Sequence, residues 1–529
     1  MTAVRHQTVD GLLRSSARRV PDRPAVRYRD RTWTYAELDA AVSAGASVLR
    51  EGHGLLAGDR VATFAHNSDA YLIAFLACAR AGLVHVPVNQ NLTGEDLAHI
   101  LGDCDSALVL ADPDLAPRVP DGHVVRPLRD APDAFLTELA GLAGLTGLAG
   151  LAGLAGLAEP TGSTRPAGAA GPVPYEPSED PDALVQLLYT SGTTALPKGA
   201  MMTHRALAHE YESAIDALDL AEEDLPVHSL PLYHSAQTHV FLLPYLAVGA
   251  RNTILDGPVA RDVFDLVEAG LADSLFAPPT VWIALANHPE FDTRDLRALR
   301  KAYYGASIMP VPVLERLRAR LPGIRFHNCF GQSEIGPLAT VLGPDEHEGR
   351  MDSCGRPVRH VEAKVVDADG ADVPDGTAGE VVYRSPQLCL GYWNDAEATK
   401  KAFRDGWFRS GDLAVRDPEG YFTVVDRVKD VINSGGVLVA SRQVEDVLYA
   451  HPGVAEAAVV GLPDERWIEA VTAVVVPRGE VTEAELMAYA RERLAHFKAP
   501  KRVLFVESLP RNASGKILKR ELRDRFTAG

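Results

Sequence analysis

Residues 183–208 present, in order, a short apolar run, a loop of glycines and hydroxyls, and the start of a helix. Ala183-Leu-Val-Gln-Leu-Leu-Tyr189 reads as a buried strand. Thr190, Ser191, Thr193 and Thr194 then place four hydroxyls in five positions, Gly192 and Gly199 permit tight turns, and Lys198 adds a compact cation. Main-chain N–H groups in such a loop converge into an anion-binding nest, which suits phosphate. Met202-Thr-His-Arg-Ala-Leu207 begins a helical pattern with Thr203 as its N-cap. A Walker A loop is disfavoured, because that motif opens its helix with a lysine placed after the second glycine. Here Pro197 and Lys198 come before Gly199. The stretch demands strand, phosphate-holding loop and helix, without an ordinary P-loop.

The chain around it reads as α/β. Residues 8–110 alternate helical patterns with short strands such as Arg60-Val-Ala-Thr-Phe-Ala65 and Ala107-Leu-Val-Leu-Ala-Asp112, the rhythm of βαβ units and a largely parallel sheet. Thr34 followed by Glu37 fits a capping box. With 529 residues the chain exceeds one core and asks for several domain-sized units. Its net charge of -18 argues against nucleic acid as a partner, since phosphate backbones need a basic footprint. Anionic small ligands remain open, because they respond to local charge. Cys78, Cys104, Cys329, Cys354 and Cys389 form no C-x-x-C or Cys/His cluster, which favours a reducing compartment and offers no zinc site of that type. The polar, Arg-rich start shows no secretory h-region, and Val240–Ala250 is too short to span a bilayer. A cytoplasmic protein without an integral membrane segment is expected.

Residues 139–158 repeat Gly-Leu-Ala, with leucines at 142, 145, 148, 151, 154 and 157. A period of three suits neither a helix face nor a strand, and each helical glycine costs about 1 kcal/mol against alanine. Residues 137–181 are therefore expected to be a surface insertion between subdomains. From 225 to 345 the βα rhythm returns, and 355–425 is marked by short strands and turn signals at Asp369-Gly, Pro374-Asp-Gly, Asp405-Gly and Glu419-Gly. The last hundred residues suit a small α+β domain.

Several stretches, in the right order along nearly the whole chain, resemble the adenylate-forming superfamily of acyl-CoA synthetases, adenylation domains and beetle luciferases. Residues 189–199 resemble its phosphate loop, and Phe330-Gly-Gln-Ser-Glu334 resembles its Tyr-Gly-x-Thr-Glu motif. Tyr304-Gly-Ala-Ser307 is similar to the turn against adenine, and Trp407-Phe-Arg-Ser-Gly-Asp412 to the Thr-Gly-Asp motif. Leu509-Pro-Arg-Asn-Ala-Ser-Gly-Lys516 resembles the catalytic-lysine loop. The fold implied is a large N-terminal adenylation domain over 1–426, a hinge at 427–430 and a small mobile C-terminal domain over 431–529. The large domain would hold two βα-layered subdomains and a smaller β-rich one.

The resemblance also implies roles. Thr190, Ser191, Gly192, Thr193, Thr194 and Lys198 fall on the pyrophosphate side of ATP. Gly305, Ala306, Ser307, Asn328, Phe330, Gly331, Gln332 and Ser333 fall on the adenine and α-phosphate side. Glu334 with Thr190 would hold Mg2+. Asp412 and Arg427 would bind the ribose, and Lys516 would stabilise the adenylation transition state. His234, Tyr304, Gly305 and Gly331 would line the acyl pocket, Lys429 would be the hinge residue, and Ser434, Gly435 and Gly436 would stand beside the thiol.

The implied activity is ATP-dependent acyl-CoA ligation through an acyl-adenylate, using ATP, Mg2+ and coenzyme A. A fatty acid leads as substrate, because the pocket-matching stretches 303–309 and 330–338 carry no cation for a second carboxylate. An aryl acid, an acyl carrier protein as acceptor, a homodimer, and an inactive nucleotide-binding interaction protein stand as alternatives. Three positions depart from the family pattern: Ala195 and Ile468 replace glycines, and Val437-Leu-Val-Ala440 replaces Glu-Asn-Ile-Tyr.

Overall fold

The computed structural model describes residues 8–131, 133–143, 179–190, 196–307, 309–435, 437–464, 466–511 and 517–527. Two compact units share the chain: one takes residues up to 190, 197–362 and 384–406, the other 191–196, 363–383 and 407 onward.

The first unit is built on two sheets. Strands β1 (Pro24–Tyr28) and β2 (Arg31–Thr34) form a hairpin at one edge of a nine-stranded sheet. Strands β3 (Arg60–Phe64), β4 (Val84–Pro87), β5 (Ser106–Ala111), β6 (Val125–Pro127), β7 (Leu184–Thr190) and β8 (Lys198–Thr203) make the other sheet, in the order β6-β5-β3-β4-β7-β8. The nine-stranded sheet continues through β9 (Pro226–His228), β10 (Asn252–Ile254), β11 (Ser274–Ala277), β12 (Lys301–Gly305), β13 (Arg325–Phe330), β14 (Thr340–Leu342) and β15 (Arg356–Pro357). Its centre is parallel, as the βα rhythm requires, and β14 and β15 turn antiparallel at the edge.

Helices α1 (Tyr35–Ser47), α2 (Asp69–Ala81), α3 (Phe135–Ala143) and α4 (His204–Ala217) contribute to one core with residues of both sheets. Among them, α2 is apolar on every side, and its 13 residues are all buried, as a helix between layers must be. The Thr34 box is present in full, and Thr203 caps α4 by accepting from the Ala206 N–H at 3.1 Å. Helix α3 reaches into the stretch read as an insertion, with Leu139 buried. Residues 144–178 of that stretch lie outside the described residues.

One local expectation needs correcting. The loop after β7 does not lead straight into a helix: Lys198 and Gly199 open β8, which pairs antiparallel with β7, Thr190 facing Lys198. The order is strand, loop, strand, helix. Pro197 marks where the ladder begins, because it has no N–H to donate.

The second unit holds two smaller sheets. Strands β16 (Glu362–Val366), β17 (Ala378–Arg384), β18 (Trp407–Arg416) and β19 (Phe422–Arg427) are antiparallel where β17, β18 and β19 meet. Strands β20 (Ile432–Ser434), β21 (Val437–Val439), β22 (Val454–Asp464), β23 (Ile468–Pro477) and β24 (Arg502–Phe505) form the last sheet, in the order β21-β20-β23-β22 with β24 added on β23. Helices α5 (Ser441–Tyr449), α6 (Glu483–Arg493) and α7 (Lys519–Thr527) accompany it. All five cysteines are buried and free. Among the described residues no helix is long and apolar enough to cross a membrane.

Candidate functional site

In the first unit the polar groups converge on Glu334, which sits on the turn after β13 and is 8% exposed. Its Oε1 accepts from the Thr190 hydroxyl at 3.3 Å and from the Tyr392 hydroxyl at 2.9 Å. Its main-chain carbonyl accepts from the Cys389 N–H at 2.8 Å. Lys198 pairs with Asp395 at 3.0 Å, and its ammonium lies 5.5 Å from the centre of the Tyr392 ring. Burial and the Glu334 carboxylate hold the Tyr392 hydroxyl well above its ordinary pKa, so it stays a donor. No cation among the described residues pairs with Glu334. A buried carboxylate in that position is costly unless a cation completes it, and one carboxylate with hydroxyls nearby fits Mg2+, which takes its remaining ligands from phosphates and water.

Backbone shape fixes the two turns beside it. Gly305 faces Cys329 across β12 and β13, and a Cβ at 305 would stand 2.2 Å from the Cys329 carbonyl oxygen. Ala306 follows with φ +64°, and Ser307 is exposed. At Gly331 a Cβ would meet the Pro337 carbonyl oxygen at 2.0 Å. Both positions therefore require glycine for close approach of main chains. Phe330 ends β13 and Gln332 follows, its Nε2 buried with no hydrogen-bond partner. The Ser333 hydroxyl meets that of Ser235 at 2.8 Å, and Asn328 donates to the Ser353 carbonyl at 2.9 Å. The Tyr304 side chain is committed to the core, its hydroxyl 3.0 Å from His347.

His234 precedes a π-helical segment, Ala236–Leu242. Its ring is open to solvent on one side while protein surrounds the rest and lowers its pKa. Nδ1 accepts from the Ala236 N–H at 3.3 Å, so the neutral ring carries its proton on Nε2, a donor suited to a carboxylate.

Sequence reading missed Tyr392, Glu210 and Gln387. Fully buried Glu210, on α4, accepts from the Leu338 N–H at 3.1 Å and from Gln387 at 2.5 Å. Gln387 also donates to the carbonyls of Ile335 and Leu338. Together they hold the chain on the far side of Glu334.

In the second unit Asp412 is 3% exposed. It faces Arg427 across β18 and β19, with Nε to Oδ1 at 2.7 Å. Lys429 follows on an exposed turn, its pKa lowered by partial burial. Ser434 ends β20 with its hydroxyl buried and without a hydrogen-bond partner, and Gly435 has φ +66°. Ser191, Gly192, Thr193, Thr194, Ala195, Gly436 and Lys516 lie outside the described residues.

Residues 13–393 match the family model for an AMP-binding enzyme, and residues 443–516 match the AMP-binding enzyme C-terminal domain. The chain belongs to this family. It is thus an adenylate-forming enzyme, and its curated relatives make it an AMP-forming acid–thiol ligase. A feruloyl-CoA synthase of Amycolatopsis is 36% identical over 515 residues, covering 96% of this chain and 97% of that protein. A long-chain-fatty-acid–CoA ligase of Escherichia coli is 34% identical over 538 residues, covering 98% and 95%. Among solved structures, an o-succinylbenzoate CoA synthetase of Bacillus subtilis with its acyl-adenylate superposes with a TM-score of 0.83 at 28% identity, covering 97% and 98%.

Proposed function

We propose that this AMP-binding enzyme joins an apolar monocarboxylic acid, with fatty acids as the leading class, to coenzyme A. The observation that carries the reading is Glu334, buried, fed by two hydroxyls and unmatched by any described cation. A site of that kind suits a nucleotide triphosphate with its metal.

In the first step an oxygen of the substrate carboxylate attacks the α-phosphorus of ATP. The bond to pyrophosphate breaks with its electron pair, leaving an acyl-adenylate. Mg2+ held by Glu334 and phosphate oxygens would supply charge neutralisation there. Thr190, Ser191, Gly192, Thr193, Thr194 and Lys198 hold the departing phosphates, and Ser333 the α-phosphate. Gly305, Ala306, Ser307, Asn328, Phe330, Gly331 and Gln332 shape the adenine side. Asp412 accepts from the ribose hydroxyls beside Arg427, the same physics by which carboxylates hold ribose elsewhere. Lys516 offsets the repulsion between carboxylate and α-phosphate, a purely electrostatic contribution.

In the second step the thiol sulfur attacks the acyl carbon. The carbon–oxygen bond to AMP breaks, and the thiol proton leaves to solvent. Lys429 is the hinge, with 1–426 and 431–529 as the two bodies, and Ser434, Gly435 and Gly436 stand on the thiol side.

The acid's class rests on stretches 303–309 and 330–338, where no cation awaits a second carboxylate. A second reading, an aryl acid, draws on an aromatic cluster further along the helical segment that follows His234. Phe241 stacks on Phe276 at 4.4 Å and approaches Tyr303 at 5.0 Å, packed without a water-sized void. Rings packed this tightly leave no room there for a long chain, which favours a flat acid. ATP–pyrophosphate exchange across fatty, aryl and dicarboxylic acids decides between them. Exchange with dicarboxylates alone would sink the apolar reading, and no exchange with any acid would sink the adenylation. Thioester formation with carrier proteins and none with coenzyme A would move the acceptor.

A further inference from the structure

On the outer surface of α4, His209 and Glu212 stand three residues apart, the spacing that puts two side chains on one helix face. His360 reaches them from the turn between β15 and β16. Its Nε2 lies 2.9 Å from Glu212 Oε2, and His209 Nδ1 lies 3.8 Å from the same oxygen. The two imidazole rings meet with centroids 4.9 Å apart, and one ligand atom from each residue lies within 4.8 Å of the others. We propose that His209, Glu212 and His360 form a transition-metal site, of the class filled by Zn2+, that fastens the turn 358–361 to α4.

Several observations support it. Tetrahedral zinc with bonds of about 2.0–2.1 Å sets neighbouring ligand atoms about 3.3 Å apart, and the two measured separations straddle that value. The Nδ1 of His209 is buried and has no hydrogen-bond partner. A buried ring nitrogen with nothing to bond is uncommon in a folded protein, and a metal would satisfy it. Glu212 is 59% exposed at its side chain, so a fourth position stays open to water.

The turn is already held in place around the site. The Val358 N–H donates to Ala339 at 3.0 Å, and Arg359 pairs with Asp216, one helical turn on from Glu212, at 3.4 Å. Two imidazoles and one carboxylate suit Zn2+, Ni2+ or Cu2+ and disfavour Mg2+, which separates this site from Glu334. The other cluster of this composition, His66, Asp112 and Asp114, does not qualify. Arg129 already occupies both oxygens of Asp112 at 3.0 and 2.9 Å.

The test uses full-length enzyme stripped by chelator, titrated with zinc chloride by calorimetry and with cobalt chloride by visible absorption. One equivalent should bind, with a tetrahedral cobalt spectrum and a raised Tm. His209→Ala and His360→Gln should each weaken binding by about tenfold or more, and His66→Ala should leave it unchanged. Circular dichroism and pyrophosphate exchange, unaltered in these variants, would show that they fold. Equal zinc binding by the wild type and a His209→Ala/His360→Gln double variant would overturn the proposal. So would the absence of a stoichiometric equivalent in the wild type.

Discussion

Glu334 and Glu210 are both buried carboxylates that bear on the stretch 334–338, one from within it and one from α4, and they differ in what surrounds them. Two hydroxyls reach Glu334, which leaves its charge for a cation brought by the nucleotide. Glu334→Gln keeps size and hydrogen bonding but removes that charge. Pyrophosphate exchange should fall by about 100-fold or more, with a raised Mg2+ requirement, while the Tm stays close to wild type. Retained exchange at ordinary Mg2+ would remove Glu334 from the site. Glu210 is enclosed, and burial raises its pKa far above the carboxylate range. Its partners are the Leu338 N–H and the Gln387 amide. Glu210→Ala strands the Leu338 N–H, at about 1–3 kcal/mol, while the Gln387 amide keeps the Ile335 and Leu338 carbonyls, so a drop of about 2 kcal/mol in urea unfolding is expected. Glu210→Gln should recover most of the stability. A kcat that recovers in step with it would mark Glu210 as a positioning residue for the Glu334 turn.

At the scale of elements, the hairpin around Gly435 carries a measurable strain. Ile468 begins β23 opposite Ser434 with φ +64° and is 59% exposed. Isoleucine in the left-handed region costs about 1–2 kcal/mol, and glycine returns a few tenths of that through unfolded-chain entropy. Ile468→Gly should therefore stabilise the second unit by about 1 kcal/mol, read from the unfolding of that unit, and an unchanged midpoint would contradict the strain. This departure was visible in the sequence, because a family glycine points to a special φ. The caps at Thr34 and Thr203 and strands β3, β5 and β7 were legible for a similar reason: each is set by neighbours within a few positions. Strand β8 escaped notice, because Lys198-Gly-Ala-Met-Met-Thr203 looks like the tail of a loop until its partner β7 is known. Tyr392, Glu210 and Gln387 were out of reach, since their decisive partners lie 58, 128 and 177 residues away. Local patterns report turns and faces, and only the folded chain reports such pairs.

The whole first unit depends on keeping imidazoles neutral. Tyr211, His239, Gln186, His85 and Thr63 form one buried chain of hydrogen bonds, at 2.8, 2.6, 3.0 and 3.1 Å. Each member is satisfied when the tyrosine hydroxyl donates to His239 Nδ1 and each ring carries its proton on Nε2. Burial depresses His85, His239 and His327 to about 3, and His204 and His228 to about 4. An unfolded histidine titrates near 6.5, so below that pH the unfolded chain binds more protons than the folded one. Stability contributed by neutral burial is thus fully present above about pH 6.5 and falls as pH drops toward 3–4. Each such residue loses at most about 1.4 kcal/mol per pH unit within that window, and a few of them together rival the 5–15 kcal/mol that stabilises a typical domain. Trp407→Phe/Trp467→Phe enzyme leaves Trp33, Trp282 and Trp393, all in the first unit, as fluorescent reporters. Its urea midpoint should hold between pH 8 and 7 and fall steadily from pH 6.5 to 5. Replacing His85 by Gln should lower stability at pH 8 yet flatten the acid slope by about one proton. A midpoint constant from pH 7 to 5 would mean that these rings take up protons without unfolding, and that the relay does not govern the unit's acid stability.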